Sequence, residues 1–411
     1  MGAAEESAAA AGIVSDAAPD SGQPDPETAS SEEFLPGLAL ARDFYDEVIE
    51  PLLAEKTPGV PYAAALIGPG SDVLGFDTPI SRDHDWGPRL QLFLPERELR
   101  ERAGLLDRVL ASELPSEYRG FPTSFTASDA SGRRHPKPGA DPPIDHLVEI
   151  TSVGRYSRKL LGFDPLDGIR TSQWLLAPQE RLLELTAGEV FADSIGELTS
   201  LRERLSYYPK QVWIYLMAAQ WQRISRREEI VARAGVGGDD LGSRIALAAL
   251  VREIARLGFL LERQYAPWDQ WLARALAQLR HASRLAPPLA RALSAYDYLQ
   301  RESRLVDAYA SLAALHNSLG LTAPLETACE RGPRGFLTIH ADRFASALAE
   351  KVDDAELKPH LPALYGAVDQ LVASDEVLLD PRLIERLSGF FDPREAPNRP
   401  AEPGNPGSAA T

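Results

Sequence analysis

Hydrophobic positions along the chain follow two rhythms, and the change comes near Thr171. Before it the periods are mixed. "LALARDFYDEVIEPLLAEK" repeats apolar residues at helical spacing, while "PYAAALIG" is a short apolar run that reads as a buried strand. "RLQLFLP" alternates, and Pro95 then opens the helix "PERELRERAGLLDRVLASEL" at a favoured first-turn position. "GFPTSFTA" is a weaker strand, residues 127–143 read as a loop, and "IDHLVEITSV" alternates again. Beyond Thr171 strands nearly vanish. "PKQVWIYLMAAQWQRISRREEIVAR" lines up Trp213, Leu216, Met217, Gln220, Trp221 and Ile224 on one stripe, and that stripe reads as core. "LGSRIALAALVREIARLGFLLERQY", "LARALSAYDYLQRESRLVDAYASLAALHNSL" and "LPALYGAVDQLVAS" keep the helical period. The expected class is α+β, with a small mixed-sheet domain over 35–171 and a helical bundle domain over 172–392.

The ends break both rhythms. Residues 1–34 carry eight acids and no Lys or Arg, with too little apolar surface to offset ordering, so they are expected to be a disordered acidic leader. The tail over 393–411 reads the same way. Net charge is −17, and with no long basic stripe this argues against bulk nucleic acid as partner. No apolar run approaches a membrane span and no secretory signal is visible, so the expected compartment is the cytoplasm. Cys329 is the one cysteine and reads as a packing or spectator thiol.

Candidate chemistry concentrates in "IGPGSDVLGFDTPISRDHDWGP". Two carboxylates at i, i+2 on a strand share a face, which would put Asp83 and Asp85 about 7 Å apart at Cα. Such a pair can hold hard divalent cations, which offset its repulsion. Gly70 and Ser71 end a strand, where backbone N–H groups and a small hydroxyl can approach phosphate oxygens. A third acid comes from "HLVEITSV". Glu149 lies on the face opposite Val148 and Ile150, with Asp145 its rival by parity. Arg82 and Arg89 flank the acids, to neutralise triphosphate or to form ion pairs.

Gly-Ser, a spacer, Asp-x-Asp and a later strand acid resemble the nucleotidyltransferase superfamily with the DNA polymerase beta fold. The segments "GSDVLGFDTPISRDHDWGPRLQLFL", "LSYYPKQVWIYLMAAQW", "GDDLGSRIALAALVREIARLGFLLERQYAPW" and "LHNSLGLT" look most like a bacterial family of nucleotidyltransferase-like proteins of unassigned function. Kanamycin nucleotidyltransferase is similar at greater distance. The resemblance implies ATP or another nucleoside triphosphate as donor, bound by Gly70 and Ser71. It implies two Mg²⁺ ions (Mn²⁺ as the alternative) on Asp83, Asp85 and Glu149, and a small-molecule hydroxyl as acceptor. Protein nucleotidylation and a non-catalytic, antitoxin-like nucleotide binder are the rival readings. Two departures leave the last open: His84 replaces the usual apolar residue, and Gly87-Pro88 interrupts the strand.

The helical half offers further acceptor contacts. Asp239, Asp240 and Arg244 stand at a helix start, where capping explains them equally well. Glu262 and Tyr265 close an apolar helix, exposed or facing a cleft that would take a cationic acceptor.

Overall fold

The computed structural model describes residues 34–391. The leader expected over 1–34, but for Phe34, and the tail expected over 393–411 lie outside them.

Four strands form the main sheet: β1 (Ala63–Leu66), β2 (Arg89–Phe93), β3 (Leu147–Thr151) and β4 (Glu189–Asp193), in the order β3-β2-β1-β4. β1 runs antiparallel to both neighbours, with Ala64 opposite Leu92 and Ala192, whereas β2 and β3 are parallel, with Gln91 opposite Glu149. Every residue of β1 is buried, and its alanines let helices approach both faces closely. Ala63, Ala65, Ile67 and Phe93 join the large core, while Leu66 packs with Val73 and Ala41 on the other side. β4 lies beyond Thr171, where helices alone were expected. All five of its residues are only half-buried, so it carries no apolar run to read.

The helices that shape the molecule are α1 (Gly37–Phe44), α2 (Glu96–Glu113), α3 (Val153–Leu161), α4 (Gln179–Thr186), α5 (Lys210–Ser225), α6 (Asp240–Glu262), α7 (Ala282–Leu293), α8 (Tyr298–Ser318) and α9 (Ala341–Ala349). α5 is buried almost all round, as a central helix must be. Its Trp213 indole donates to the Leu260 carbonyl at 2.7 Å, and Trp221 stacks on Phe344 with ring centres 4.4 Å apart. The stripe is core, as the sequence implied. The helical period over "LARALSAYDYLQRESRLVDAYASLAALHNSL" is carried by two helices. Asp297 caps the second by accepting from the Gln300 N–H, so the chain turns between α7 and α8. "LPALYGAVDQLVAS" yields only the short turn Val368–Leu371, because Leu364 and Gly366 both take left-handed backbone. Cys329 packs on the core, and burial pushes its thiol up to about 12.

Charge is buried in the helical part as well. Arg256 on α6 meets Glu180 of α4 at 2.8 Å and Asp369 at 3.3 Å, and all three side chains are almost wholly enclosed. Gln179 donates to Asp369 at 2.6 Å and accepts from the Ala266 N–H at 2.9 Å. Burial, with the Asp369 charge adding to it, pushes Glu180 up to about 8.

Candidate functional site

β1 ends at Leu66, and the chain then turns tightly over Gly68–Ser71. Gly68 and Gly70 both have positive φ (92° and 147°). A side chain at Gly68 would strike the Tyr156 hydroxyl, which donates to the Ile67 carbonyl at 3.2 Å. At Gly70 a Cβ would fall 2.3 Å from Asp72 Oδ1 and 2.4 Å from Arg89 Nη2. Those two atoms belong to a bidentate pair: Arg89 Nε donates to Asp72 Oδ2 at 3.0 Å and Nη2 to Oδ1 at 2.7 Å. Arg89 also donates to the Pro69 carbonyl at 3.3 Å. The guanidinium at the head of β2 therefore braces the Gly-Ser turn. Asp72, 2% exposed, is its counter-ion, in place of the Asp-x-Asp pair. The sequence signal was there, since Asp72 directly follows Gly70-Ser71.

Asp83 and Asp85 do not sit on a strand. Asp83 ends the short 3₁₀ turn Pro79–Asp83, and Asp85 takes left-handed backbone (φ 46°) before β2 begins at Arg89. The strand alternation that would put both carboxylates on one face is therefore absent. Gly87-Pro88, which delays the strand, was the sequence warning. Asp83 remains 64% exposed and stands 2.8 Å from His84 Nδ1, whose hydrogen bond holds its carboxyl below the usual range. His135 Nδ1 lies 2.9 Å from the Asp83 carbonyl. Arg82 lies over the rings of Trp86 and Phe121, at 5.0 Å and 4.9 Å.

Asp85 instead joins a cleft of about 650 Å³. Pro69 at the foot of the Gly70 turn, Arg89, Asp145, Glu149 and Lys159 share its lining. Arg134, from the loop over 127–143, ties the walls together. Its N–H donates to Asp85 Oδ1 at 3.2 Å, its carbonyl accepts from the Asp85 N–H at 2.8 Å, and its guanidinium reaches Asp145 at 2.5 Å. Both candidates for the third acid thus face the cleft, each with a cation. Glu149 on β3 takes Lys159 of α3 at 2.7 Å. Tyr156 lies below, its hydroxyl held protonated above the ordinary range by burial first and the Glu149 charge second. His146 also lines the cleft, and burial lowers its pKa.

Among the described residues no group of three or more His, Cys, Asp or Glu is placed to hold a metal ion. The expected set of Asp83, Asp85 and Glu149 does not converge, because Asp83 lies outside the cleft lining. Asp85 and Glu149 do share that lining. Two carboxylates suit a hard cation that arrives with substrate phosphates, the common mode for Mg²⁺, rather than a preformed protein cage.

The acceptor contacts expected in the helical half lie elsewhere. Asp239 caps α6, accepting from the Gly242 N–H at 2.7 Å. Asp240 pairs with Arg244 at 2.8 Å and with the buried Arg301 at 2.5 Å. Glu262 accepts from the Arg280 and His281 N–H groups, both at 2.8 Å. The Tyr265 hydroxyl donates to the Leu205 carbonyl at 3.0 Å. None of these side chains lines the cleft of Asp85 and Glu149.

Comparison with known proteins adds a coarse likeness. Residues 174–272, from Trp174 through β4, α4, α5 and α6 to Leu272, match the model of a domain of unknown function, DUF4037. No curated protein matches. The chain is similar to a nucleotidyltransferase-like protein. That protein, from Exiguobacterium sibiricum, has a crystal structure that covers 80% of this chain and 89% of its own, with 12% identity and a TM-score of 0.32. No helix among the described residues is long and apolar enough to cross a membrane.

Proposed function

We propose that the chain is a nucleotidyltransferase. In this reading it binds a nucleoside triphosphate, ATP by preference, and moves the nucleoside monophosphate to a hydroxyl of a small molecule. One observation carries the reading: Asp85, Glu149 and the foot of the Gly70 turn, far apart in sequence, line a single cleft with Arg134 and Lys159 on its walls. Gly70 and Ser71 stand next to Pro69 and outside the lining itself, and in this reading their N–H groups would meet the phosphates from the turn. Arg89 is committed to Asp72 and shapes the turn, while Lys159 is half-exposed and can exchange Glu149 for a phosphate oxygen. A divalent cation entering with the triphosphate would be held by Asp85 and would stabilise charge on the phosphates. The acceptor oxygen bonds to the α-phosphorus as the bond to the pyrophosphate oxygen breaks, and the acceptor proton passes to the Glu149 carboxylate.

The full chain, incubated with Mg²⁺, α-labelled triphosphates and a metabolite extract, should label a small molecule and release pyrophosphate. Glu149→Gln and Asp85→Asn should abolish both. Label on protein bands would select protein nucleotidylation instead. A second reading, nucleotide binding without turnover, is favoured by the Lys159–Glu149 pair and by the lack, among the described residues, of three acids placed to hold one metal ion. It predicts thermal stabilisation by ATP with no pyrophosphate. If no triphosphate stabilises the protein, both readings fail.

A further inference from the structure

At the sheet edge opposite the cleft, β4, α4, the helix Glu197–Arg204 and the end of α6 border a separate, open hollow of about 590 Å³. Three strand spacings, roughly 14 Å, separate β4 from β3. Two guanidiniums face this hollow, Arg202 and Arg263. Arg202 donates to the Thr186 and Gly188 carbonyls at 2.6 Å and 3.4 Å. Its Nη1 is shut off from solvent and has no hydrogen-bond partner among the described residues. Burial alone lowers its pKa, so no carboxylate compensates it. Arg263 closes α6 in left-handed backbone (φ 56°), a conformation that costs a non-glycine residue energy. That backbone sets its guanidinium over Tyr207 at 5.3 Å and Trp213 at 4.8 Å. The rings fix the cation in place without cancelling its charge.

The remaining wall is mixed. Leu183 and the ring of Tyr265 are apolar, Ser206 carries a hydroxyl, and the one acid, Glu203, is exposed and pairs with neither arginine. A buried N–H with no acceptor, beside a second arginine held on aromatic rings, calls for an oxyanion. We infer that this hollow is a second ligand site, which takes a small phosphate monoester with an apolar body. The phosphate would lie between Arg202 and Arg263, and the body against Leu183 and Tyr265. The cationic acceptor expected near Glu262 is replaced by an anionic ligand one residue further on, because Glu262 is used up on the Arg280–His281 turn. All these lining residues fall within the segment that matches DUF4037.

Phenyl phosphate is the probe, titrated calorimetrically into the full chain, with benzyl alcohol as the neutral control. The expected result is saturable binding of phenyl phosphate alone. Arg263→Gln should weaken it by about tenfold or more, the loss for one charge-assisted contact. Arg263→Gln keeps the fold because Arg263 is exposed and makes only ring contacts. Arg202→Lys is the second variant and should also weaken binding, since a lysine cannot fork between carbonyl and phosphate. Asp85→Asn should leave binding unchanged. Unaltered affinity in Arg263→Gln, displacement of the probe by ATP, or no saturable binding would each overturn the assignment. The outcome is independent of whether the sheet cleft binds nucleotide.

Discussion

Carboxylates and guanidiniums meet in two regions of this protein, and the two are built on different terms. Around Arg256 the two buried partners, Glu180 and Asp369, come from helical segments and lie out of water, with only the more distant Asp269 exposed. Around Asp85 and Glu149 they come from a turn, a loop, two strands and helix α3, and they border solvent. Desolvation makes the difference. A buried pair that loses one member leaves a stranded charge, so it is fixed for good. A pair at the edge of water can trade one partner for another at little cost, as a binding site requires. The same residue types therefore serve architecture in one region and exchange in the other.

Removing Arg256 should break this contrast at its strongest point. Arg256→Leu leaves Asp369 without its buried counter-charge and should cost about 3–5 kcal/mol in urea denaturation. Arg256→Leu combined with Asp369→Leu should recover much of that loss. A double variant as unstable as the single one would show that the helices do not depend on the pair.

A smaller effect follows from pH, because Arg256 offsets part of the burial. Glu180 is held at about 8 in the fold, above its ordinary 4.5, so its contribution to stability is full below 4.5 and is lost as pH rises through 8. His316 acts on the other limb. Burial lowers it from 6.5 to about 4, so stability present above 6.5 is lost as pH falls through 4. From these two groups denaturation should show greatest stability on the acid side of neutrality, between about 4.5 and 6.5, where the two opposing slopes cancel. Glu180→Gln should flatten the alkaline side, and His316→Gln the acid side.

Within the cleft the sharper test is Gly70→Ala. Its positive φ and the approach of Asp72 and Arg89 predict a local cost of about 1–3 kcal/mol, confined to the turn. Stabilisation by ATP should disappear while the helical part unfolds as before. Full retention of the ATP shift would remove the turn from the phosphate site.

How far the sequence could reach follows the same division. β1, β2 and β3 were readable because half-buried or central strands impose period two or an apolar run. Parity alone set Glu149 apart from Val148 and Ile150, and Glu149 does line the cleft. β4 was missed because "GEVFAD" has neither pattern, and pairing with β1 is what makes it a strand. Asp83 and Asp85 were wrongly expected to share a strand face, because left-handed backbone at Asp85 follows from loop packing against Arg134, which no local spacing encodes. Arg134 itself lies in a loop with no period. Its role exists only through contacts made across the fold.

Lys159→Ala should have the least effect on stability and therefore isolates the exchange argument. Its ion pair with Glu149 is 59% and 38% exposed, so the change should cost under about 1 kcal/mol. If Lys159 serves to meet a phosphate, ATP affinity should still fall, by about tenfold for one lost charge-assisted contact. Lys159→Arg should restore much of it. Equal ATP affinity in wild type and Lys159→Ala, measured by calorimetry, would mean that the pair with Glu149 is only a strand-to-helix tether. The cleft would then resemble the Arg256 cluster more than its exposure suggests.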